Sequence, residues 1–355
     1  MGTSFGKIVI AAVALATVPL SSPAAAKPVS IRTLAAQEVR LAAIAYRIAA
    51  ANSDLCGAGE MTTGMVLHDL TRYDRSIRPA VARAFSVNRG FGVLAIVPGS
   101  VAAEAGLRVD DEILSVGRFS VEDPAAHQRA KSFQRMDQFH SIVNAALKRG
   151  DTSLVIRRAG SLIRLPLRAQ PGCGGKLTIM TSSALNAWAD GRNILVTTGM
   201  AKFSRNDDEM SFVIAHEMAH NILGHALGGA GAKGILGFSS VKRDEIEADR
   251  FAVRLMAKAG FEPGGSQSFL EHARRRMWWS FSLDHPGFGR RIATVQAARR
   301  MARLDADPGR SAPAIAALSP IERPQPAVAY DAPAIRTGTT RAFASGGPGW
   351  TLETM

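Results

Sequence analysis

A chain of 355 residues has room for two compact domains of about 150 residues each, and at 46% hydrophobic and 21% charged its bulk is globular. The formal net charge of +13 raises nucleic acid as a partner, but the aromatic–basic interleaving of single-strand binders is missing, so nucleic acid is set aside. Eight arginines between residues 264 and 304 face only Glu271 and Asp284, which reads as a solvated basic helix face. The alternative is contact with an anionic membrane surface or an acidic polymer.

The first residues place Lys7 before an apolar run from Ile8 to Leu20 and end in Ala24-Ala25-Ala26, the layout of a secretory signal peptide cleaved after residue 26. That run is too short to span a bilayer, no Cys follows it closely, and no later segment reaches about 18 apolar residues. The expectation is an exported protein, soluble in the periplasm or cell envelope after cleavage. Next, "IRTLAAQEVRLAAIAYRIAAANSDLCG" carries Leu34, Val39, Leu41, Ile44 and Ile48 at helical spacing and predicts one amphipathic helix, within an N-terminal segment taken as 27–84 and packing on the later core. Residues 57–84 show no clear period.

From Phe85 the pattern changes to strand, turn, short helix and strand, then the helix "QFHSIVNAALKRG" and two strands around an Ala-Gly-Ser turn. This block, 85–170, resembles a bacterial PDZ domain. Gly90, Phe91, Gly92 and Val93 match its carboxylate-binding loop, and "AEAGLRVDDEIL" matches the A-G-L-x-x-G-D segment, with Asp110 in place of a Gly. The resemblance implies capture of a C-terminal peptide by loop N–H groups and a strand edge, or else a spacer or gate. The tail, 305–355, holds seven of the 17 prolines and is expected to be mostly disordered.

Between these regions stands "SFVIAHEMAHNILGH", residues 211–225. On a helix His216 and His220 project about 40° apart, so both reach one metal ion, and Glu217 beside them can face a water as base. His225 points about 180° from His216 if the helix continues, and is not a ligand on that geometry. Asn206 caps the helix, Glu209 returns the capping bond, and Gly224 stops it. In "SSVKRDEIEADRFAVRLMAKAGF", Glu245, Ala248, Asp249 and Ala252 share a face, so Glu245 is the third ligand. Asp249 is placed to orient a ligand histidine, and Glu247 projects elsewhere.

"HEMAHNILGH", "DEIEADRFA" and "DHPGFGRRIA" together resemble the successive motifs of the gluzincin-type zinc peptidase family that includes the CAAX prenyl protease and HtpX, over about residues 176–303. The resemblance implies one Zn2+ per chain on His216, His220 and Glu245, and Glu217 as general base. It further implies Arg291, and His285 of the His-Pro pair, at the catalytic centre, Arg291 stabilising the oxyanion. Asn186 and Ala187 are the implied backbone holders of an extended substrate, with an ordinary turn as the alternative for Asn186. Transmembrane helices of membrane-bound members are missing, and Asp284 replaces a common Thr. Trp278 and Trp279 read as core packing before substrate pocket.

The expected fold is α+β: a mainly helical peptidase domain, 171–304, with a small edge-exposed sheet, and an inserted, barrel-like PDZ domain with two helices. Cys56 and Cys173 flank the PDZ block and are expected to pair in an oxidising compartment, with two separate thiols as the alternative. The expected function is an exported zinc endopeptidase acting on protein or peptide substrates, namely unfolded or misassembled envelope proteins. A PDZ-based assembly factor with minor proteolysis, and a non-proteolytic zinc hydrolase, are the rivals.

Overall fold

The computed structural model describes residues 31–56, 60–173, 175–225, 237–276 and 286–305. The leader, Trp278, Trp279, Asp284, His285 and all but the first residue of the tail lie outside the described residues. Helix α1 (Ile31–Ala51) comes first, followed by β1 (Glu60–Met61), β2 (Met65–His68) and α2 (Arg78–Ala84). Then come β3 (Phe91–Ile96), α3 (Val101–Glu104), β4 (Glu112–Val116), β5 (Phe119–Ser120), α4 (Gln134–Leu147), β6 (Thr152–Arg158) and β7 (Ser161–Leu167). The last third holds β8 (Pro171–Gly172), β9 (Lys176–Met180), β10 (Ala187–Ala189), β11 (Asn193–Thr197) and α5 (Thr198–Phe203). It ends in α6 (Asp207–Leu223), α7 (Gly237–Lys258), α8 (Gly264–Arg276) and α9 (Phe288–Asp305).

The result is a mixed α+β chain with two main hydrophobic clusters. In one, α6 runs through the centre. Its residues from Glu209 to Ala219 are all buried, as in a helix covered on every side. Leu41, Ile44 and Ile48 of α1, Ala248 and Ala252 of α7, and Ile194 and Val196 of β11 close around it. Asn52, fully buried, donates to the Ile48 and Leu255 carbonyls and so ties the end of α1 to α7. The three-stranded sheet of this body has the order β10-β11-β9, which leaves β10 and β9 as its edges.

The second cluster fills a sheet of order β2-β3-β4-β6-β7, with β5 on β4. Phe139, Val143 and Leu147 of α4 pack on Phe91, Ile113 and Ile156, with the Phe91 and Phe139 rings 4.2 Å apart. Asp110 takes the left-handed φ of 66° at the turn before β4.

The boundary drawn at residue 84 needs correction. Strand β2 pairs antiparallel with β3, and Leu70, Val81 and Phe85 form a cluster with Val87 and Leu94. Residues 65–84 therefore belong with the six-stranded sheet, and only α1 belongs with the helical body. A four-residue strand is too short to show its period in sequence. The two bodies meet at a neck. Cys56 and Cys173 form a disulfide with Cα atoms 5.3 Å apart, and β1 pairs antiparallel with β8 just inside it.

Candidate active site

Three donors converge where α6 passes α7. His216 and His220 lie one turn apart on α6 with their Nε2 atoms 3.2 Å apart. Glu245 of α7 brings Oε2 to 3.5 Å from His216 Nε2 and Oε1 to 3.3 Å from His220 Nε2. His216 and Glu245 are each 5% exposed. Bonds of about 2.0–2.1 Å to a tetrahedral zinc set donor–donor edges near 3.3 Å; the two rings meet that spacing, and one donor atom from each of the three residues lies within 4.8 Å of the others, so the set suits the ion.

Electrostatics agrees with the distances. Burial by itself lowers the pKa of His216, but the Asp249 and Glu245 carboxylates outweigh it and raise the group to about 10. The pocket asks for positive charge.

Behind His216, Asp249 is fully buried on α7 and places Oδ1 3.1 Å from His216 Nδ1. Arg291 of α9 grips Asp249 with both arms, Nε donating to Oδ2 at 2.8 Å and Nη2 to Oδ1 at 2.6 Å. Its Nη1 lies 3.8 Å from Glu245 Oε2. Burial acts to raise the Asp249 carboxyl, and the Arg291 charge outweighs it and holds it below its usual range. Two nitrogens of the guanidinium thus serve Asp249, while the side chain also lines the cavity that Glu217 borders. Helix α9 starts just after buried Pro286 and so delivers Arg291; His285, before it, lies outside the described residues.

Glu217 is also buried, at 6% exposure, and does not share in the three-donor set. Burial raises its pKa above that of an ordinary carboxyl, against the opposing pull of His216 and His220. It lines a small apolar cavity of about 30 Å³ together with Ala187, Phe212, Phe269, Phe288 and Arg291. Ala187 begins β10, whose only strand partner among the described residues is β11. Asn186, just before it, is held through its backbone, accepting from Thr197 N at 3.0 Å. The edge strand, Glu217 and His216 of the donor trio therefore share one wall.

The helix that carries the site is specified as its sequence suggests, with one difference. Asn206 accepts from Glu209 N at 2.9 Å, but Glu209 reaches back to Arg205 N, one residue beyond the expected cap.

The proposed carboxylate loop does not stand open. Glu112, 1% exposed, accepts through Oε1 from the N–H groups of Asn88 and Arg89 at 2.7 Å each and of Gly90 at 2.8 Å. A carboxylate of the chain itself fills the nest. Phe91, Gly92 and Val93 lie on β3, which β2 and β4 flank on both sides, so no peptide can add there. The assignment of Gly90, Phe91, Gly92 and Val93 to ligand binding is withdrawn on this geometry. A carboxylate-binding loop reads in sequence as free donors; its internal acceptor, 22 residues downstream of Gly90, carries no mark.

The sheet ends in β7, mostly exposed, on one side and in β2, partly to fully buried, on the other. Beside the latter a cavity of about 210 Å³ opens between β2, α4, α1 and β9, lined by Tyr46, Met65, Leu67, Met136, Val143 and Leu177 among others. It is the larger cavity but holds none of the donor trio, so the chemistry belongs to the smaller one.

A buried and a half-buried imidazole, a buried carboxylate beside them and a second buried carboxylate one residue after His216 make the side-chain set of a metallohydrolase type of site. In agreement, residues 168–240 match the model of Peptidase family M48, which supports a metallopeptidase. The matched segment includes His216, Glu217 and His220 but ends before Glu245 and Arg291, which join the site through the fold alone. No curated protein matches the chain.

Proposed function

We propose that the protein is an exported zinc endopeptidase that cleaves extended segments of unfolded or misassembled envelope proteins. The observation that carries this reading is the shared wall. His216, His220 and Glu245 converge as a donor trio, and the cavity beside it is lined by His216, by Glu217 and by Ala187 at the start of the edge strand β10. Zinc held by the trio would supply a Lewis acid and an acidified water. Glu217, already raised by burial, is suited to take a proton from that water and hand it to the leaving amine. A substrate strand adding to β10 would present its carbonyls to this wall, as edge pairing does elsewhere. Export is supported by the leader-like first 26 residues and by the Cys56–Cys173 bond, which suits an oxidising compartment. Among the described residues no helix is long and apolar enough to cross a membrane.

The test is a digest of casein and of a peptide library by the zinc-loaded chain and by Glu217→Gln, with products read by mass spectrometry. Glu217→Gln should keep its zinc and lose at least about 10²-fold in rate. Equal cleavage by both chains would sink the assignment.

A second reading has its own observation. The larger cavity borders β2, an edge strand of the six-stranded sheet, and shares no lining residue with the smaller one, which suits a PDZ-like unit capturing a peptide for assembly or quality control. If Glu217→Gln fully restores cells that lack the protein, binding is the function and proteolysis is minor.

A further inference from the structure

His225 was set aside as a ligand because a continued helix would turn it away from His216. The helix does not continue. Gly224 adopts φ 74° and ψ 17°, a left-handed stop, and the chain folds His225 back onto the site. The two imidazoles meet nearly edge to face, with centroids 5.0 Å apart and His225 Nδ1 3.1 Å from His220 Nδ1. On its far side His225 Nε2 lies 3.6 Å from Glu247 Oε2.

We infer that His225 is a positioning residue that fixes the ring proton of His220, and that this arrangement excludes a second metal at His225, Asp244 and Glu247. The inference rests on the zinc reading. A neutral imidazole carries one ring proton and one lone pair. His220 directs Nε2 into the donor trio, so as a ligand it must carry its proton on Nδ1. Nδ1 of His225 lies at hydrogen-bond distance from that proton and must then accept it. Acceptance at Nδ1 leaves the proton of His225 on Nε2, pointing at the Glu247 carboxylate. The order is His220 Nδ1–H to His225 Nδ1, then His225 Nε2–H toward Glu247.

The same count settles the second cluster. His225, Asp244 and Glu247 offer donor atoms within 4.8 Å of one another, close enough for a metal. Binding one would need the Nε2 lone pair of His225, and its proton would move to Nδ1. Two Nδ1–H groups would then face each other at a spacing of 3.1 Å. The two sites cannot both be filled without parting His225 from His220. His216 shows the matching device on the other ligand, its Nδ1 turned to Asp249 at 3.1 Å. One ligand is thus steered by a buried carboxylate and the other by an imidazole whose own partner, Glu247, is 53% exposed.

The experiment measures zinc affinity by competition with a chromophoric chelator for wild type, His225→Leu and His225→Gln, alongside long-range ¹H–¹⁵N NMR of the histidine rings. His225→Leu should bind zinc about 10- to 100-fold more weakly, the usual cost of losing a partner behind a ligand. His225→Gln, whose amide oxygen accepts the same proton, should recover most of that loss. In zinc-loaded wild type the proton of His220 should sit on Nδ1 and that of His225 on Nε2, with one zinc per chain. Equal losses in the Leu and Gln variants, no loss in either, a proton on His225 Nδ1, or a second zinc bound as tightly as the first would each overturn the inference. The NMR result needs no variant to fold. A wild-type chain that binds no zinc would fail the zinc reading itself, whereas zinc binding unaffected by His225 fails this inference alone.

Discussion

Arg291 offers the sharpest test of the site's construction, because two roles predict different losses. As an oxyanion partner alone, its removal would lower kcat and leave stability and zinc affinity intact. The geometry predicts otherwise. Asp249 is fully buried, and the two hydrogen bonds from Arg291, at 2.6 and 2.8 Å, are its charge-assisted anchors. Hydrogen bonds to charged groups contribute roughly 1.5–3 kcal/mol each, and removal of one member of a buried pair costs about 3–5 kcal/mol. Arg291→Met should therefore destabilise the chain by about 3–5 kcal/mol. Asp249→Asn should cost less, since Arg291 keeps Glu245 at 3.8 Å. The double variant should be more stable than the sum of the two losses, because it leaves neither charge alone.

Urea unfolding at pH 7 in excess chelator measures this without a contribution from bound metal. The pH dependence gives a second arm with a defined sign. The carboxyl of Asp249 is held below its ordinary value of 3.8 in the fold. Its stabilisation is complete above that pH and is lost as pH falls through the lower folded value, so the gap between wild type and Asp249→Asn should close only below pH 3.8. An Arg291→Met chain within about 1 kcal/mol of wild type, or strictly additive losses, would refute the anchoring argument.

Burial, with the Arg72 charge adding to it, pushes His68 down to about 3, while the unfolded chain takes up that proton near 6.5. Stability should fall by about 1.4 kcal/mol per unit as pH drops below 6.5; His68→Phe should flatten the slope between pH 6 and 5, and an unchanged slope in denaturant melts would count against it. Reducing the Cys56–Cys173 bond, which spans 117 residues, should cost up to about 4–5 kcal/mol by the chain-entropy account. Two thiols alkylated in the denatured protein before any reductant is added would show that no bond forms.

The parts of the site legible in sequence are those set by one helix or one helix face. His216, Glu217 and His220 follow from helical spacing, and Glu245 from its alanine-lined face beside Ala248 and Ala252. The parts that escape are relations between elements. The grip of Arg291 on Asp249 spans 42 residues and joins α9 to α7. The filling of the loop at Gly90 depends on Glu112 across a sheet. His225 shows the limit: Gly224 reads as a helix stop, and a direction of about 180° from His216 holds only for a helix that continues. A left-handed residue redirects everything after it, and only the fold shows where.

The charges at the site explain why these parts come together. Glu217, Glu245 and Asp249 are three buried carboxylates, and Arg291 is the buried guanidinium set against them. With both imidazoles neutral, two negative charges remain uncompensated, a state that burial makes costly. The protein alone can lower this cost only by holding protons, which is the direction in which His216 and Glu217 are both pushed. A dication held by the trio would cancel the excess and leave both imidazoles neutral, the state that ligation requires. His216 would then keep one ring proton, on Nδ1 facing Asp249, and offer Nε2 to the metal. The carboxylate count and the donor spacing are separate features of the chain, and both favour one divalent ion.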